Sequence, residues 1–522
     1  MKKKFLLTAT LLVSTFSFSQ NWGLDQDFNS VGFNTANMIV NGDDYAECST
    51  IQNDGKILVA GYGLRMARFN TNGTLDTSFG DSGYTLPFGN NVGLNYIKQI
   101  IITPTNKILT VGAIYTNKWY IHLAQYNENG SLDTTFGTSG RKNIDVGPSI
   151  TMLVGNAIYT SDNKIFIATT SYLSDGDFNI TKCNKFGELE TSFGGTGIIN
   201  YDGMGYDQGA KISLRSDGKL LLSGNSNVNP ANGTYKQFVQ MLINSDGSLD
   251  ATFGTSGKAF SNFATNNTQV INDTYLLSDN SILVTGSLVV TNSTIYDGFV
   301  AKFNANGTLD TSFGTNGINQ VIFTDTDGSQ SITDMMNKIT LQSDGKIIIA
   351  GFSNGAGNSS KFSVARLNSN GILDSTFGNL GTMTFSINGF NDVITDVKSQ
   401  SDGKIVVSGL TKINSLDRAY IVARLTPNST LATPETFNSN PSIQLYPNPA
   451  QNQITVSGLN SNFSNGKINV VFLSIDGKEL KAVEFNNYSD ALEISLNNLS
   501  SGVYILKISN KNKEVIRKFI KN

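Results

Sequence analysis

Short apolar runs alternate with turn residues along most of this 522-residue chain. In the stretch from Met336 to Ile387, four apolar or alternating runs are separated by loops that contain Asp-Gly or Asn-Gly pairs. Such pairs mark tight hairpins, because the central residues of these turns need positive φ. Helical periodicity is absent beyond the first 20 residues. The pattern therefore predicts an all-β protein built from four-stranded units.

One phrase repeats along the chain. It reads ARFNTNGTLDTSFGDSG at residues 67–83 and returns five more times, each copy 57 to 64 residues after the last. Its acidic position is occupied by Asp76, Asp133, Glu190, Asp250, Asp310 and Asp374. A second phrase, of the type SDGKIIIAG, occurs seven times. A period of about 40 to 60 residues with four strands is typical of a β-propeller blade, and an open β-solenoid is the alternative.

The two ends of the repeat region favour the propeller. Residues 23–28 match only the second half of the repeat phrase, and residues 422–425 match only the first half. A solenoid ends in atypical capping repeats, whereas a circular array hides its sheet edges by completing one blade from both termini. The sequence thus predicts a seven-bladed β-propeller, closed where the segment near Asp25 pairs with the strand near Arg424.

The repeated Leu-Asp-x-Ser/Thr-Phe-Gly element has the composition of a turn. We expect its Leu and Phe to fill the space between blades and Gly80 and its equivalents to adopt positive φ. The acidic side chain is expected to accept hydrogen bonds from nearby backbone N–H groups. A catalytic or metal-binding set is the alternative, but one carboxylate per blade keeps the equivalents apart, whereas acid-base pairs need separations of about 5 to 10 Å.

Four segments follow from the composition. Residues 1–19 have the basic start, apolar centre and small residues of a signal peptide. Residues 20–426 form the propeller region, and residues 427–441, rich in Pro, Thr, Asn and Ser, form a predicted linker. Residues 442–522 alternate in short runs that fit a small β-sandwich. No other apolar run approaches the roughly 20 residues that span a bilayer, so no transmembrane segment is predicted.

Two motifs near the end of the chain carry a resemblance. Residues 446–449 read Tyr-Pro-Asn-Pro, and Gly502 and Tyr504 lie in a second motif before a basic ending. The motif residues are Tyr446, Pro447, Asn448, Pro449, Gly502 and Tyr504. Together they resemble the type A C-terminal sorting domain of the type IX secretion system of Bacteroidetes. The resemblance implies the outer-membrane translocon as partner and an extracellular or outer-membrane surface location after passage through the periplasm; a carbohydrate-binding or spacer sandwich is the alternative.

The repeat region carries a second resemblance. Its LDTSFG, ARFN and DGKI strings, from Asp25 to about Arg424, are similar to the delta-60 repeat family of bacterial propeller-like proteins. That family has no general activity that could be carried over to this chain. Glu190 and Cys183 depart from the repeat consensus, which indicates drift in a structural repeat.

Few residues offer catalytic chemistry. The formal charge of −3 is spread without runs, which argues against a nucleic-acid partner. The one histidine, His122, is opposite in phase to Leu123 in a predicted strand, so we expect it to be partly exposed rather than a catalytic base. Cys48 and Cys183 fall in different units and are predicted to be free thiols, with Cys183 in the core. No catalytic residue is assigned.

Two acid-rich loops offer oxygen ligands of the kind that Ca²⁺ takes. They are residues 175–177, Asp-Gly-Asp, and residues 325–328, Asp-Thr-Asp-Gly. Neither shows a full ligand run, so no cofactor and no metal site are predicted. Ca²⁺ stays an alternative to ordinary polar turns.

The loops between the second and third strands differ most between units. Variable loops on a rigid scaffold are where binding sites usually lie, and aromatic rings beside Asp or Asn suit sugars. The candidate ligand contacts are Trp119, Tyr172, Tyr235 and Tyr296. The alternative for each ring is packing against a neighbouring loop.

These features predict a secreted propeller that is displayed or released at the cell surface and acts as a binding or adhesion module for a glycan or a surface protein. Catalysis is not required. The alternative is an extracellular glycan-active hydrolase or lyase with carboxylates at the propeller mouth, and a coat component without a discrete ligand is a third hypothesis. The sequence leaves all three open.

Overall fold

The structure is a computed structural model, and the chain divides into two compact units, Met1–Pro427 and Asn428–Asn522. Every named element is a β-strand. The structure describes residues 22–38, 44–86, 95–147, 151–172, 176–203, 205–227, 237–261, 269–289, 295–324, 331–355, 359–387, 391–414, 417–427, 444–446, 450–459, 467–474, 478–486, 491–497, 499–500, 502–510 and 514–521. The predicted signal peptide and nearly all of the predicted linker lie outside these residues.

The first unit consists of propeller-like antiparallel sheets, after two short opening strands, β1 (Trp22–Leu24) and β2 (Phe33–Ala36). Four sheets of four strands follow in chain order, each a simple meander. The first is β3 (Ala46–Ile51), β4 (Ile57–Gly61), β5 (Met66–Phe69) and β6 (Tyr84–Thr85). The second is β7 (Tyr96–Ile102), β8 (Ile108–Tyr115), β9 (Trp119–Tyr126) and β10 (Arg141–Ile144). The third is β11 (Thr151–Tyr159), β12 (Lys164–Tyr172), β13 (Asp177–Asn184) and β14 (Ile198–Tyr201). The fourth is β15 (Tyr206–Leu214), β16 (Leu220–Asn227), β17 (Gln237–Ile243) and β18 (Lys258–Ser261).

The rest of the first unit repeats this plan. One group is β19 (Gln269–Leu276), β20 (Ile282–Val289), β21 (Tyr296–Phe303) and β22 (Ile318–Val321). The next is β23 (Thr333–Leu341), β24 (Ile347–Asn354), β25 (Ser360–Leu367) and β26 (Thr382–Phe385). A single parallel pair, Tyr296 with Thr333, joins these two groups into one eight-stranded sheet. The last strands are β27 (Val393–Ser399), β28 (Ile405–Asn414) and β29 (Asp417–Pro427).

Both opening strands pair with β29, the last strand of the unit. In β1, Leu24 is opposite Leu425, and in β2, Phe33 is opposite Ala423. The backbone N–H of Asp25 donates to the carbonyl of Arg424 at 2.8 Å. The two partial repeats therefore lie in one five-stranded sheet, together with β27 and β28.

The sheets of the first unit are covered on both faces. Each apolar cluster joins two neighbouring sheets: Leu58 of β4 packs in the same cluster as Ile97 and Ile108 of the second sheet, while Leu123 of β9 packs with the third sheet. The prediction that His122 is partly exposed is wrong, because its side chain is only 3% exposed. Successive side chains of a strand point to opposite faces of the sheet, and here both faces are buried, so neither faces solvent. Ring nitrogen Nδ1 of His122 lies 2.7 Å from Asn143 Oδ1, and burial lowers the pKa of the ring.

The first strands of consecutive groups contact one another. At Gly155 of β11, an added Cβ would stand 1.6 Å from the carbonyl oxygen of Ala210 in β15, so only glycine fits there. Polar contacts join the following pairs from group to group: Glu47 with Lys98, Tyr96 with Val154, Asn156 with Ile212, Asn225 with Ile271, Asn272 with Met336, Asn337 with Ile394, and Asp396 with Ser49.

The structural role predicted for the Leu-Asp-x-Ser/Thr-Phe-Gly element is confirmed. Asp76 Oδ1 accepts a hydrogen bond from the backbone N–H of Ser78 at 3.1 Å, Phe79 is fully buried, and Gly80 has φ of 53°. The same backbone hydrogen bond occurs at Asp25, Asp133, Asp250, Asp310 and Asp374.

Each of these carboxylates also forms an ion pair that the sequence reasoning did not include. Asp76 Oδ2 lies 2.7 Å from Arg68 Nε and 3.0 Å from Lys56 Nζ. Lysines likewise pair with Asp133, Glu190, Asp250, Asp310 and Asp374. Asp25 makes the equivalent contacts with residues near the other end of the unit in sequence. Its Oδ2 lies 2.7 Å from Arg424 Nε and 3.1 Å from Lys404 Nζ.

The second unit has seven described strands in two sheets. One sheet contains β30 (Gln444–Tyr446), β31 (Gln453–Ser457) and β34 (Ala491–Ser495). The other contains β32 (Ile468–Ser474), β33 (Glu479–Phe485), β35 (Gly502–Ser509) and β36 (Glu514–Lys521). Apolar side chains from both sheets, among them Ile454, Phe472 and Leu506, form one buried core.

Candidate functional site

The first unit contains a cavity of about 390 Å³. Its walls come from the first strands of the first four sheets and from β19, with neighbouring residues of the second strands. The lining residues are Glu47, Tyr62, Tyr96, Lys98, Leu153, Val154, Gly155, Thr170, Gln208, Gly209, Ala210, Lys211, Asn225, Val270, Ile271 and Asn272. This mixture of aromatic, amide, charged and backbone groups suits a polar ligand with apolar faces.

A row of aromatic rings runs beside this cavity. Tyr62 and Tyr96, which both line it, are stacked with ring centroids 6.3 Å apart. Tyr45 continues the row on one side at 5.1 Å from Tyr62, and Trp119 continues it on the other at 6.5 Å from Tyr96. The Tyr96 hydroxyl accepts a hydrogen bond from the N–H of Val154 at 3.1 Å, which fixes its ring between two sheets.

Charged side chains occupy the same inner strands. Lys98 Nζ lies 2.6 Å from Glu47 Oε2, and both side chains are partly exposed. Lys211 lies 3.2 Å from the buried Asp273, which also contacts Lys338 at 3.5 Å. Burial lowers the pKa of Lys211, and the like charge of Lys338 lowers it further. The cavity therefore offers the ammonium groups of Lys98 and Lys211 as hydrogen-bond donors, and each of them already lies beside a carboxylate.

The structure describes the side chains of two of the four aromatic residues predicted to contact a ligand, Trp119 and Tyr296, and these begin strands of different groups. Trp119 begins β9, where its side chain is 8% exposed and packs against Tyr96 and the exposed ring of Tyr115 at 5.5 Å. Tyr296 begins β21 with 37% of its surface exposed. Tyr172 ends β12, but its side chain lies outside the described part of the chain, as does all of Tyr235. Their ligand contacts stay a prediction.

The second-unit motif residues are described in part. Tyr446 ends β30 and is exposed, while residues 447–449 lie outside the described residues. Gly502 opens β35. Tyr504 is buried, stacks on Phe519 at 5.6 Å, and donates its hydroxyl proton to the carbonyl of Ser500 at 2.7 Å. A role of these residues in sorting stays a prediction.

A cluster of three carboxylates lies between the third and fourth sheets. Asp177, Asp202 and Asp207 each place a carboxylate oxygen within 4.8 Å of the others. Burial, together with the negative charges of Asp202 and Asp177, raises the pKa of Asp207 to about 7. Asp177 belongs to the acid-rich loop singled out in the sequence, whereas Asp175 and the loop 325–328 lie outside the described residues.

Sequence reasoning missed Tyr62, Tyr96 and the Asp202–Asp207 pair. Each of these lies at or next to the start of a first strand or the end of a second or fourth strand, so comparing those positions across the repeats would have found them. The prediction for the cysteines is confirmed: Cys48 and Cys183 are buried free thiols. Burial raises the pKa of Cys183 to about 12, so its thiolate is scarce at neutral pH.

Two known protein families match parts of this chain. Residues 444–522 match the secretion system C-terminal sorting domain. Residues 52–79, 103–136, 215–253, 277–313, 342–377 and 400–431 match a β-propeller domain of unknown function, DUF5122. A search of curated proteins finds no match. Among the described residues, no helix has the length and apolar character that crossing a membrane requires.

Solved structures with some likeness to this chain have low identity. A polysaccharide lyase, Uly1, is 11% identical with a TM-score of 0.42, over 73% of this chain and 90% of the lyase. An α-L-arabinanase of Penicillium chrysogenum complexed with arabinobiose is 10% identical with a TM-score of 0.39, over 63% of this chain and 92% of the enzyme. PorZ, a surface component of the type IX secretion system of Porphyromonas gingivalis, is 11% identical with a TM-score of 0.20, over 91% of this chain and 81% of PorZ. Such values carry no activity over to this chain.

The sorting domain assigns the destination of the protein. A domain of this kind at the end of the chain directs export to the cell surface or the extracellular space. The chain thus carries repeats of the DUF5122 β-propeller family followed by a type IX secretion system C-terminal sorting domain.

Proposed function

We propose that this protein is an exported binding module, and that its first unit is a closed seven-bladed propeller which holds a glycan, or a glycan-bearing surface partner, in the inner-strand cavity. In this proposal residues 1–19 are a signal peptide, residues 20–426 are the propeller, residues 427–441 are a linker, and residues 442–522 are read by the translocon. The observation that carries the binding role is the cavity lined by Tyr62, Tyr96 and polar groups.

Closure of the ring is supported by contacts between the first and last strands of the unit. Both opening strands pair with β29, and Asp25 forms the ion pair with Arg424 that other repeats form within one continuous segment. Asp396 of β27 accepts a hydrogen bond from the N–H of Ser49 in β3 at 2.7 Å. The first sheet therefore contacts the last group as it contacts the second sheet.

Binding of a sugar is supported by the chemistry of the cavity walls. Aromatic rings offer apolar faces to the C–H surfaces of a sugar ring, while amide and ammonium groups donate to its hydroxyls. A volume of about 390 Å³ suits one or two sugar residues. Tyr62 is half-buried, with the stacked ring of Tyr96 on one side and the tilted ring of Tyr45 on the other, so its ring is held in place before a ligand arrives.

A hydrolase is less well supported by this cavity. Glycoside hydrolysis by the common mechanisms uses two carboxyl groups on either side of the scissile bond. Among the described residues that line the cavity, Glu47 is the one carboxylate, and it contacts Lys98 at 2.6 Å. We therefore place binding ahead of hydrolysis, and release of reducing ends becomes an outcome of the test.

The test is a panel of glycans and polysaccharides applied to the purified chain, with both retention and release of reducing ends measured. We expect retention without release, and a Kd about fivefold weaker for Tyr62→Ala, because an aromatic contact contributes roughly 1 kcal/mol. Phe186→Ala removes an exposed ring outside the cavity and serves as the matched control, with a Kd within about twofold of the wild type.

Two results would contradict the proposal. Equal weakening by Tyr62→Ala and Phe186→Ala would show that the cavity is not the site. Release of reducing ends that is lost in Glu47→Gln would make the protein an enzyme.

A further inference from the structure

We propose that Asp177, Asp202 and Asp207 form a binding site for a hard divalent cation, with Ca²⁺ as the ion that fits best. The three carboxylates come from two connections at one end of the third and fourth sheets. Asp177 opens β13, Asp202 follows β14, and Asp207 is the second residue of β15. The site is separate from the inner-strand cavity, none of whose lining residues belongs to it.

Asp207 has structural equivalents in other groups, which show what its position normally does. An aspartate at or just before the first strand accepts the backbone N–H that follows the fourth strand of the preceding group. Asp207 Oδ2 accepts from Gly203 at 2.6 Å. The same bond joins Asp44 to Met38, Asp334 to Phe323, and Asp392 to Ile387. One oxygen of each carboxylate thus has a purely structural role.

The second oxygen distinguishes Asp207 from its equivalents. In the other three, oxygen Oδ1 accepts from Arg65, Ser331 or Thr411, at 3.1, 2.5 and 2.6 Å respectively. Asp207 Oδ1 is fully buried and has no hydrogen-bond donor among the described residues. Burying a carboxylate oxygen without a hydrogen-bond partner costs free energy. Because Asp207 lacks the donor that its equivalents have, we infer a ligand beside its Oδ1.

The side chain that would be the natural donor is engaged elsewhere. Ser226 lies opposite Asp207 in the β15–β16 register, and Thr411 lies at the corresponding place beside Asp392. The Thr411 hydroxyl donates to its aspartate, but the single hydroxyl proton of Ser226 is donated to the carbonyl of Gly203 at 2.7 Å. Among the described residues, no donor therefore remains for oxygen Oδ1 of Asp207.

Two further carboxylates converge where that partner would be. Oxygen atoms of Asp177, Asp202 and Asp207 all lie within 4.8 Å of one another. Ca²⁺ binds oxygen at about 2.4 Å, so two ligands on opposite sides of one ion stand about 4.8 Å apart. One ion can therefore contact all three without a change of backbone. In the corresponding region between β21 and β23, both oxygens of Asp334 accept hydrogen bonds, one from Phe323 and one from Ser331. Asp297 accepts from Gln320 through one oxygen, and its other oxygen has no donor among the described residues.

The donor set selects the ion. Carboxylate oxygens without Cys or His favour hard cations, and Ca²⁺ tolerates irregular geometry and added waters better than Mg²⁺ does. Lys258 donates to the main-chain carbonyl of Asp202 at 2.5 Å. Three carboxylates on an exported protein suit an affinity of about 10⁻⁴ to 10⁻³ M, the range of extracellular calcium modules.

The experiment uses the purified full chain after exhaustive chelation. Calorimetric titration with CaCl₂ is expected to give one site, and 10 mM CaCl₂ should raise the melting temperature of the first unit by about 3 °C. Asp202→Asn removes the exposed carboxylate and should weaken binding at least tenfold without unfolding the protein. Asp207→Asn should abolish the calcium-dependent shift.

Asp334→Asn is the matched control, because it changes the equivalent buried carboxylate of another group and should leave the calcium-dependent shift intact. The proposal is overturned if the wild type gives neither heat nor a melting shift. It is equally overturned if the shift survives in Asp202→Asn, which keeps the test decisive even when Asp207→Asn fails to fold. A melting shift with MgCl₂ as large as that with CaCl₂ would overturn the choice of ion.

Discussion

Replacing Phe28 by Ala tests how much the amino-terminal segment contributes to the unfolding free energy of the first unit. The Phe28 ring is fully buried in a cluster that contains Val59 of the first sheet and Val422 of β29. It lies over Gly73, where an added Cβ would be 2.6 Å from a ring carbon, and the guanidinium carbon of Arg424 is 4.7 Å from its centroid. Phe28 therefore joins the two ends of the unit through one side chain.

The expected loss can be worked from burial. Phe28→Ala removes about 150 Å² of buried apolar surface, which at about 25 cal/mol per Å² corresponds to about 4 kcal/mol of unfolding free energy. Measured Phe→Ala changes in protein cores fall at about 3 to 5 kcal/mol. The control is Phe79→Ala, which changes the same repeat position within a continuous segment. Phe79 is also fully buried, lies over Gly130, and has Arg68 at 4.3 Å from its ring centroid.

Both tryptophans of the chain lie in the first unit, so their fluorescence in a urea titration reports that unit alone. Trp22 belongs to β1 and packs against Phe377 at 5.1 Å, whereas Trp119 belongs to β9. We expect Phe28→Ala and Phe79→Ala to lower the unfolding free energy by similar amounts. A loss below about 1 kcal/mol for Phe28→Ala, beside a full loss for Phe79→Ala, would refute an integral amino-terminal segment. A separate early transition seen only by Trp22 would refute it as well.

Two further predictions concern a buried carboxyl group and the sorting domain. Burial raises the pKa of Asp334 to about 7, against about 3.9 for an unfolded aspartate, so its contribution to stability is present below pH 4 and is lost as the pH rises through 7. The melting temperature of Asp334→Asn should therefore improve relative to the wild type between pH 5 and pH 7.5, and a pH-independent difference would contradict this reasoning. A chain that lacks residues 442–522 should fold normally but stay in the periplasm, as followed by cell fractionation, since the translocon has nothing to read. Its appearance in the medium would argue against that role.

The sequence was most informative where the repeat dictates local geometry. The turn role of Asp76, the burial of Phe79 and the positive φ of Gly80 depend on neighbours within a few residues, so each could be inferred from one copy of the phrase. The pairing of Asp76 with Lys56 was within reach as well, because both positions recur with the same period. It was missed because the two phrases were treated as separate turns.

Features that depend on packing between sheets could not be inferred in this way. His122 was misjudged because strand alternation distinguishes two faces without saying that both are covered. Tyr62 and Tyr96 are far apart in sequence and meet only because the first two sheets lie side by side. Asp177 and Asp207 likewise converge from different sheets. The missing information in each case is the relative position of neighbouring sheets.

The pairing of β1 with β29 also affects how the protein is made and exported. During synthesis and export the amino-terminal strand emerges first, yet its partner is among the last parts of the first unit to appear, 399 residues later at the contact between Asp25 and Arg424. Contacts of such long range slow folding, so the exported chain must spend an interval with β1 unpaired and open to wrong partners or proteases. The sorting domain follows β29 and emerges after it. The export address is therefore complete only after every strand needed to complete the first unit has been synthesised.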